Sequence, residues 1–285
     1  MSALRQPAGS GVGAIFPQRL TVGSLEARLA ETEAEVVAAQ RLRYRVFYEE
    51  MKAKASTAIA AEQRDFDEFD AYCDHLLVLD HKLGEGPESI IGTYRLLRRS
   101  VADQHRGFYT EMEFDVSPLR RVQGELLELG RSCVDARYRT RPTMQLLWAA
   151  IAGYVFAHDI KIMFGCGSLP GTDPQAVAGA LSYLHHNHLA PPELRVRALP
   201  HRYVDMNLRA PDAVSEADAA NALDSRAVLA GLPPLIKGYL RLGGLIGDGA
   251  VIDPEFNTVD VCIIVVTDRL TEKYVNHYRR KLSGE

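Results

Sequence analysis

The sequence predicts an α/β protein built on a mixed central sheet flanked by helices. Three apolar runs, at 75–80, 89–98 and 125–134, have the length and composition of strands. An almost wholly apolar helical segment follows at about 143–159, and then a further strand at 161–169. Such a strand–helix–strand step gives parallel neighbours, so we expect part of the sheet to be parallel.

The remaining elements follow in chain order. Residues 1–24 are interpreted as a flexible tail because the segment is rich in Gly and Pro and has no compact apolar core. Helical spacing predicts a first helix at 31–51, and a later one at 175–187. Residues 25–285 are expected to form a single domain. Its C-terminal elaboration, at about 210–285, should hold helices at 215–231, 233–244 and 271–282 and a strand at 259–268.

Composition narrows the class of protein. The net charge of −4 gives no reason to expect nucleic-acid binding, and no apolar run reaches the length of a membrane-spanning helix. Four well-separated cysteines in apolar runs indicate reduced thiols in a cytoplasmic protein. His185, His186 and His188 have no carboxylate or cysteine pattern nearby, so we interpret them as a polar helix end and predict no metal.

Charges occur where buried strands and helices would not normally place them. An ion in a protein interior costs several kcal/mol unless it is paired or hydrogen-bonded. Four such sets within about 90 residues favour one shared ionic site. The charged residues are Arg43 and Arg45, the carboxylates of DFDEFD (65–70), Arg95, and the pair Glu128 and Arg131.

The run ELGRSCV (128–134) raises a geometric question. Regular alternation along a strand would send Glu128 and Arg131 to opposite faces. A β-bulge, for which Gly130 is the natural position, would bring both to one face. We therefore predict a bulge near Gly130 and a shared active-site face.

The motifs LRYRVF, DEFD, GTYRLL and ELGRSCV, in this order, resemble the acyl-homoserine-lactone synthase branch of the GNAT acyltransferase superfamily over residues 40–165. The segments PPLIKGYLRLGG and DPEFNTVDV extend the likeness to 285, where the chain is similar to L-ornithine N(alpha)-acyltransferases of ornithine-lipid synthesis. The resemblance implies a GNAT fold and transfer of a (3-hydroxy)fatty acyl group from acyl carrier protein to the α-amine of L-ornithine. The residues that it points to are Glu128 and Arg131 as catalytic, and Arg43, Phe47, Asp67, Asp70 and Arg95 as substrate-binding.

The segment expected to bind the acyl donor, which we call the donor side, departs from the family pattern. GNAT enzymes that use coenzyme A carry a glycine-rich loop after the central strand, whereas RYRTRPTM (137–144) has no glycine. Backbone N–H groups at a helix N-terminus still favour the phosphate of a 4'-phosphopantetheine arm. We expect Val134, Arg137, Arg139 and Arg141 to face the acyl carrier protein thioester, which acts as co-substrate, with no bound cofactor.

Alternatives stay open from sequence alone. One is an acyl-homoserine-lactone synthase, which would use S-adenosylmethionine, or another acyl-carrier-protein-dependent amino-acid N-acyltransferase. A different class is a non-catalytic carrier-protein or lipid-binding module on this fold. Because an acylated amino acid is an amphiphile, we also expect transient contact with the inner face of the membrane.

Overall fold

The computed structural model describes residues 19–209 and 225–267. The strands within them are β1 (Leu20–Val22), β2 (Leu25–Leu29), β3 (Asp74–Asp80), β4 (Ile90–Arg98), β5 (Phe114–Asp115), β6 (Glu125–Val134), β7 (Ile160–Pro170), β8 (Arg197–Ala198), β9 (Leu245–Asp253) and β10 (Thr258–Val266). The α-helices are α1 (Glu33–Tyr44), α2 (Thr57–Glu62), α3 (Arg99–Ala102), α4 (Ser117–Arg120), α5 (Arg141–Ala157), α6 (Ala178–His188), α7 (Ser225–Gly231) and α8 (Pro234–Arg241). A π-helical stretch, Arg45–Glu50, follows α1 directly.

The chain divides into two compact units. The first includes residues 19–101 and 129–160, and the second includes 102–128, 161–209 and 225–267. Strand order is β1-β2-β3-β4-β6 in the first unit and β7-β10-β9-β8-β5 in the second. β6 contributes its first four residues to the second unit and its last six to the first. In the second unit β8 and β9 are parallel while β7, β10 and β9 are antiparallel, which confirms the predicted mixed sheet.

The first unit forms its core between α1 and the sheet. Thr32 begins α1 with a capping box: its hydroxyl accepts from Glu35 N, and the Glu35 side chain accepts from Thr32 N. The helix then buries one stripe against β3, β4 and β6. The core residues of this layer are Ala39, Leu42, Val46, Leu77, Leu79, Ile90 and Cys133. The stripe agrees with the helical spacing read from the sequence.

In the second unit, α8 begins and ends where the sequence indicates. Pro234 occupies the first turn, where its missing N–H costs nothing. At the other end Gly243 adopts φ +83, and the N–H of Gly244 donates to the carbonyl oxygen of Tyr239 at 2.9 Å. This is the left-handed helix ending that glycine favours.

Two sequence interpretations need correction at the N-terminus. Residues 20–22 form β1, so part of the segment 1–24 that was predicted to be a flexible tail lies in a strand. β2 was not predicted because Glu26 and Arg28 interrupt its apolar pattern. Both side chains are buried, and the Arg28 guanidinium is paired with Glu35 at 2.5 Å. The charge is therefore neutralised inside the fold, which the local pattern could not reveal.

The C-terminal part contributes directly to the sheet. β9 was also missed, since Gly247 and Gly249 interrupt its apolar pattern, whereas β10 was expected. The predicted helix at 271–282 lies outside the described residues, and the single-domain prediction stays a prediction. Among residues 19–209 and 225–267, every helix is too short or too polar to cross a bilayer.

Candidate active site

Arg43, on α1, is the most deeply enclosed of the charges that the sequence singles out, with 0% of its surface exposed. Its Nε donates to Asp65 Oδ2 at 2.7 Å, and its two Nη atoms donate to the two carboxylate oxygens of Asp70 at 2.8 and 2.7 Å. Nη2 also donates to the carbonyl oxygen of Asp65 at 2.5 Å. A planar guanidinium suits this bidentate geometry, and the pairing is what makes its complete burial tolerable.

The two carboxylates that hold Arg43 are ionised despite their burial. Burial alone would raise the pKa of Asp70, but the hydrogen bond and charge of Arg43 hold that pKa well below its usual range. Burial likewise opposes ionisation of Asp65, while the charges of Arg131 and Arg43 lower its pKa overall. The Tyr48 hydroxyl donates to Asp65 Oδ1 at 3.0 Å. Asp65 and Tyr48 are partners that the sequence reasoning missed.

Asp67 joins two further arginines to this centre. Arg95 Nη1 donates to Asp67 Oδ1 at 2.6 Å and to Asp70 Oδ1 at 3.2 Å. Arg131 Nη2 donates to Asp67 Oδ2 at 3.1 Å, and its Nε lies 3.2 Å from Asp65 Oδ2. We call Arg43, Asp65, Asp67, Asp70, Arg95 and Arg131 the charge cluster. Five of its six members were predicted as site residues, and the structure brings those five together.

Exposure differs across the charge cluster. The side chains of Arg43 and Asp70 are 1% and 6% exposed, whereas those of Asp67 and Arg131 are 23% and 12% exposed. The inner pair therefore stabilises the fold, and the Asp67–Arg131 edge is the part that a small polar molecule could reach. This edge offers one carboxylate and one guanidinium side by side.

The sequence DFDEFD positions the carboxylates through local hydrogen bonds. Asp67 precedes a 3₁₀ turn, Glu68–Ala71, and its Oδ1 accepts from Phe69 N at 2.9 Å. Asp70 Oδ2 in turn accepts from Asp67 N at 3.2 Å. Phe69 is buried, with the Arg95 guanidinium 5.5 Å from its ring centroid. The two-residue gap between Asp67 and Asp70 thus fixes both side chains relative to the turn.

β6 is irregular close to the predicted position. Arg131 has φ +50, the left-handed region, inside an otherwise extended strand, whereas its neighbour Gly130 does not. Within the second unit, Glu128 accepts from Tyr109 N at 2.9 Å and from Thr110 N at 2.6 Å. Glu128 therefore holds the start of the turn at Tyr109–Met112. The predicted face shared by Glu128 and Arg131 stays a prediction.

The predicted donor-side residues surround the start of α5. Val134 ends β6, and its carbonyl oxygen accepts from Arg139 Nε at 3.0 Å. Arg139 also binds Glu50, with Nη2 at 2.7 Å from Oε2, while Arg137 pairs with Asp135 at 2.9 Å.

The helix start itself has little capping. Thr140, the residue before α5, makes no side-chain cap hydrogen bond, and Arg141 is exposed. The start of this 17-residue helix therefore lacks a side-chain cap for its first backbone N–H groups. Phe47, predicted as a substrate contact, packs against the core of the first unit, and its contact with substrate stays a prediction.

A second group of buried carboxylates lies within the second unit and was not predicted. We call Glu113, Asp253 and Asp260 the acidic cluster: one oxygen from each lies within 4.8 Å of the others, and all three residues are buried. Asp253 and Asp260 lie seven residues apart on the adjacent strands β9 and β10, whereas Glu113 is distant from both in sequence. No local pattern could have identified Glu113 as their neighbour.

Comparison with known proteins identifies the class of protein. Residues 42–149 match the acetyltransferase (GNAT) domain family, and this range contains the charge cluster, β6 and the start of α5. The chain is an acyltransferase with a GNAT fold, as the sequence motifs predicted.

Curated relatives narrow the family further. The chain is 49% identical to an L-ornithine N(alpha)-acyltransferase of Brucella abortus (strain 2308), with 90% of this chain and 89% of the relative covered. It is 47% identical to one of Rhizobium meliloti (strain 1021), covering 90% and 85%, and 43% identical to one of Rhodobacter capsulatus, covering 92% and 97%. The chain belongs to the L-ornithine N(alpha)-acyltransferase family.

Removing Arg43 should destabilise the protein strongly. An Arg43→Gln variant leaves Asp65 and Asp70 buried without their main counter-charge, and we expect a loss of about 3–5 kcal/mol in the free energy of unfolding. Chemical denaturation at pH 7 measures this loss. Arg41→Gln is the matched control, because Arg41 lies two residues away on the exposed face of α1 and should change stability by less than about 0.5 kcal/mol.

The pH dependence supplies a second readout for the same pair of variants. Because the pKa values of Asp65 and Asp70 are lowered on folding, their contribution to stability is present above the ordinary carboxyl pKa and is lost as the pH falls through the lowered values. Stability of the wild-type protein should therefore fall steeply below about pH 4. A shallower acid limb is expected for Arg43→Gln, and an unchanged one would contradict the assignment.

Proposed function

We propose that this chain transfers a (3-hydroxy)fatty acyl group from acyl carrier protein to the α-amine of L-ornithine. The product is a lyso-ornithine lipid, and the reaction is the first step of ornithine-lipid biosynthesis. The observation that carries the proposal is the 43–49% identity, over about nine-tenths of the chain, to curated proteins named L-ornithine N(alpha)-acyltransferase. The identity of the donor rests on the motif resemblance.

The reaction forms one bond and breaks one. The neutral α-amine attacks the thioester carbon, a C–N bond forms, the C–S bond breaks, and the carrier's thiolate leaves to become a free thiol. The amine's proton must pass to a base, and charge develops on the carbonyl oxygen. In this proposal Glu128 is the base, and backbone N–H groups of β6 stabilise the oxyanion.

The charge cluster supports the acceptor side of the proposal. Ornithine carries a carboxylate and a second, cationic amine. The Asp67–Arg131 edge presents a carboxylate and a guanidinium, which are the complementary groups, and it is the most exposed part of the cluster. Arg43, Asp70 and Arg95 are enclosed and act by holding this edge in place.

The donor side is supported by the start of α5. Its uncapped N–H groups suit the phosphate of a pantetheine arm, and the side chains of Arg137, Arg139 and Arg141 suit an acidic carrier protein. Transient contact with the inner face of the membrane follows from the amphiphilic product.

The proposal is tested by mixing the full-length protein with acyl carrier protein thioester and a panel of amines. We expect free thiol release and an Nα-acyl product with L-ornithine. Putrescine, which lacks the carboxylate that Arg131 would bind, should be at least about 100-fold poorer in kcat/KM. Reaction with S-adenosylmethionine in place of ornithine would support a homoserine-lactone synthase, and binding without thiol release would support a non-catalytic module. Either outcome contradicts the proposal.

Glu128→Gln tests the proposed base. We expect turnover to be abolished, because an amide cannot take the proton. Since the amide accepts at only one atom, the bond to Tyr109 N or to Thr110 N is also lost, with a stability cost of about 1–3 kcal/mol. Turnover must therefore be measured below the unfolding transition of the variant. Glu125→Gln on the same strand should keep full turnover, and retained turnover in Glu128→Gln would remove Glu128 from the chemistry.

Charge reversal tests the donor side. The double variant Arg137→Glu, Arg141→Glu should lower kcat/KM for acyl carrier protein by at least about tenfold at low salt, and by less at high salt, because encounter is slowed. Activity with a short acyl-pantetheine donor should fall much less. Lys54→Glu with Lys82→Glu changes the same number of exposed charges on the same unit and should have little effect. An equal loss of kcat/KM in both double variants would contradict the assignment of Arg137 and Arg141 to acyl-carrier-protein binding.

A further inference from the structure

The acidic cluster places like charges where water cannot screen them. Glu113, Asp253 and Asp260 are 3%, 6% and 5% exposed, and one carboxylate oxygen of each lies within 4.8 Å of the others. Asp253 Oδ1 accepts from the backbone N–H groups of Glu255 and Phe256 at 2.8 and 3.0 Å. Glu113 and Asp260 thus face each other and Asp253 in a medium of low dielectric.

Two groups from neighbouring segments approach Glu113. From β7, the Cys166 thiol donates to Glu113 Oε2 at 3.4 Å, but burial and the charge of Glu113 raise the pKa of this thiol well above its usual value. From the segment after β8, Arg202 Nη2 lies 3.5 Å from Glu113 Oε1. That guanidinium also donates to the carbonyl oxygens of Met112 and Ile252. The Arg202 guanidinium is thus shared between the Glu113 carboxylate and these two carbonyl oxygens.

We propose that Glu113 and Asp260 share one proton at neutral pH and form a pH-sensitive contact inside the second unit. Two carboxylates that approach closely in a buried site cannot both ionise cheaply, so one retains a proton and donates a hydrogen bond. In support, burial and then the charge of Asp260 raise the pKa of Glu113 to about 7. The pair joins β10, which carries Asp260, to the turn that precedes β5. The inference does not depend on which amine the enzyme acylates.

The direction of the pH effect follows from the shared proton. A carboxyl whose pKa is raised on folding contributes stability that is fully present below its unfolded pKa. This stability is lost as the pH rises through about 7. The second unit should therefore weaken between pH 5 and pH 8, which is opposite in sign to the behaviour of the charge cluster in acid.

Carbon-13 NMR of the side-chain carboxyls in the full chain tests the proposal directly. The Glu113 resonance should titrate with a midpoint near 7. A midpoint below 5 for both Glu113 and Asp260 would overturn the proposal. So would a midpoint that moves down when Mg²⁺ or Ca²⁺ is added at millimolar concentration, because a cation would then relieve the repulsion in place of a proton.

Thermal unfolding of variants supplies an independent measurement. Glu113→Gln imitates the protonated side chain, so its Tm should lack the decline of about 5 °C that we expect for the wild-type protein between pH 5 and pH 8. Glu193→Gln removes the same charge from an exposed position and should keep the wild-type profile. A Glu113→Gln profile that is parallel to the wild-type one would overturn the proposal. If that variant does not fold, the NMR titration of the wild-type chain still decides.

Discussion

The complete burial of one guanidinium organises the first unit. Arg43 lies on α1 beneath the sheet, and a positive charge there is tolerated only because Asp65 and Asp70 reach it from a different segment. Because of this requirement, residues 63–73 adopt a defined path, with the 3₁₀ turn and its capping hydrogen bonds. The position of Asp67 is then a by-product of neutralising Arg43. Asp67, which we propose faces the substrate, is thus placed by an interaction that never meets solvent.

The charge of a buried carboxylate must be neutralised, and this protein does so in two ways. In the first unit, arginines neutralise the buried carboxylates of Asp65 and Asp70, and the pKa values of these two carboxylates are lowered. In the second unit a proton does so for Glu113, whose pKa is raised. An arginine gives a charge that persists at every physiological pH, whereas a proton gives one that is lost on modest alkalinisation. The two units therefore respond to pH with opposite sign, although both bury carboxylates.

Apolar runs made much of the fold predictable from sequence. β3, β4, β6, β7 and β10 were expected within about two residues of their observed ends, because each is a largely apolar run. β2 and β9 were missed since their pattern is interrupted by Glu26 and Arg28 in one case and by glycines in the other. Whether a buried charge has a partner depends on residues distant in the chain, and a local pattern does not carry that information.

Site residues were predictable only where charge itself was the anomaly. Arg43, Arg95 and Arg131 stood out inside apolar runs, so their common location could be anticipated, but which carboxylate pairs with which arginine could not. Asp65 was passed over because it shares a run with several similar carboxylates. The acidic cluster was not predicted, since strand order brings Glu113 to Asp253 and Asp260 from a distant part of the chain.

The backbone at Arg131 has a consequence for engineering this enzyme. A left-handed conformation costs a residue with a side chain about 1–2 kcal/mol, and glycine would adopt it without that cost. Programmes that raise thermal stability one position at a time would therefore favour glycine or asparagine here. The exchange would relax the strand and at the same time remove the guanidinium that faces Asp67 and Asp65. At this position, the residue that the main chain prefers and the residue that the charge balance requires are different.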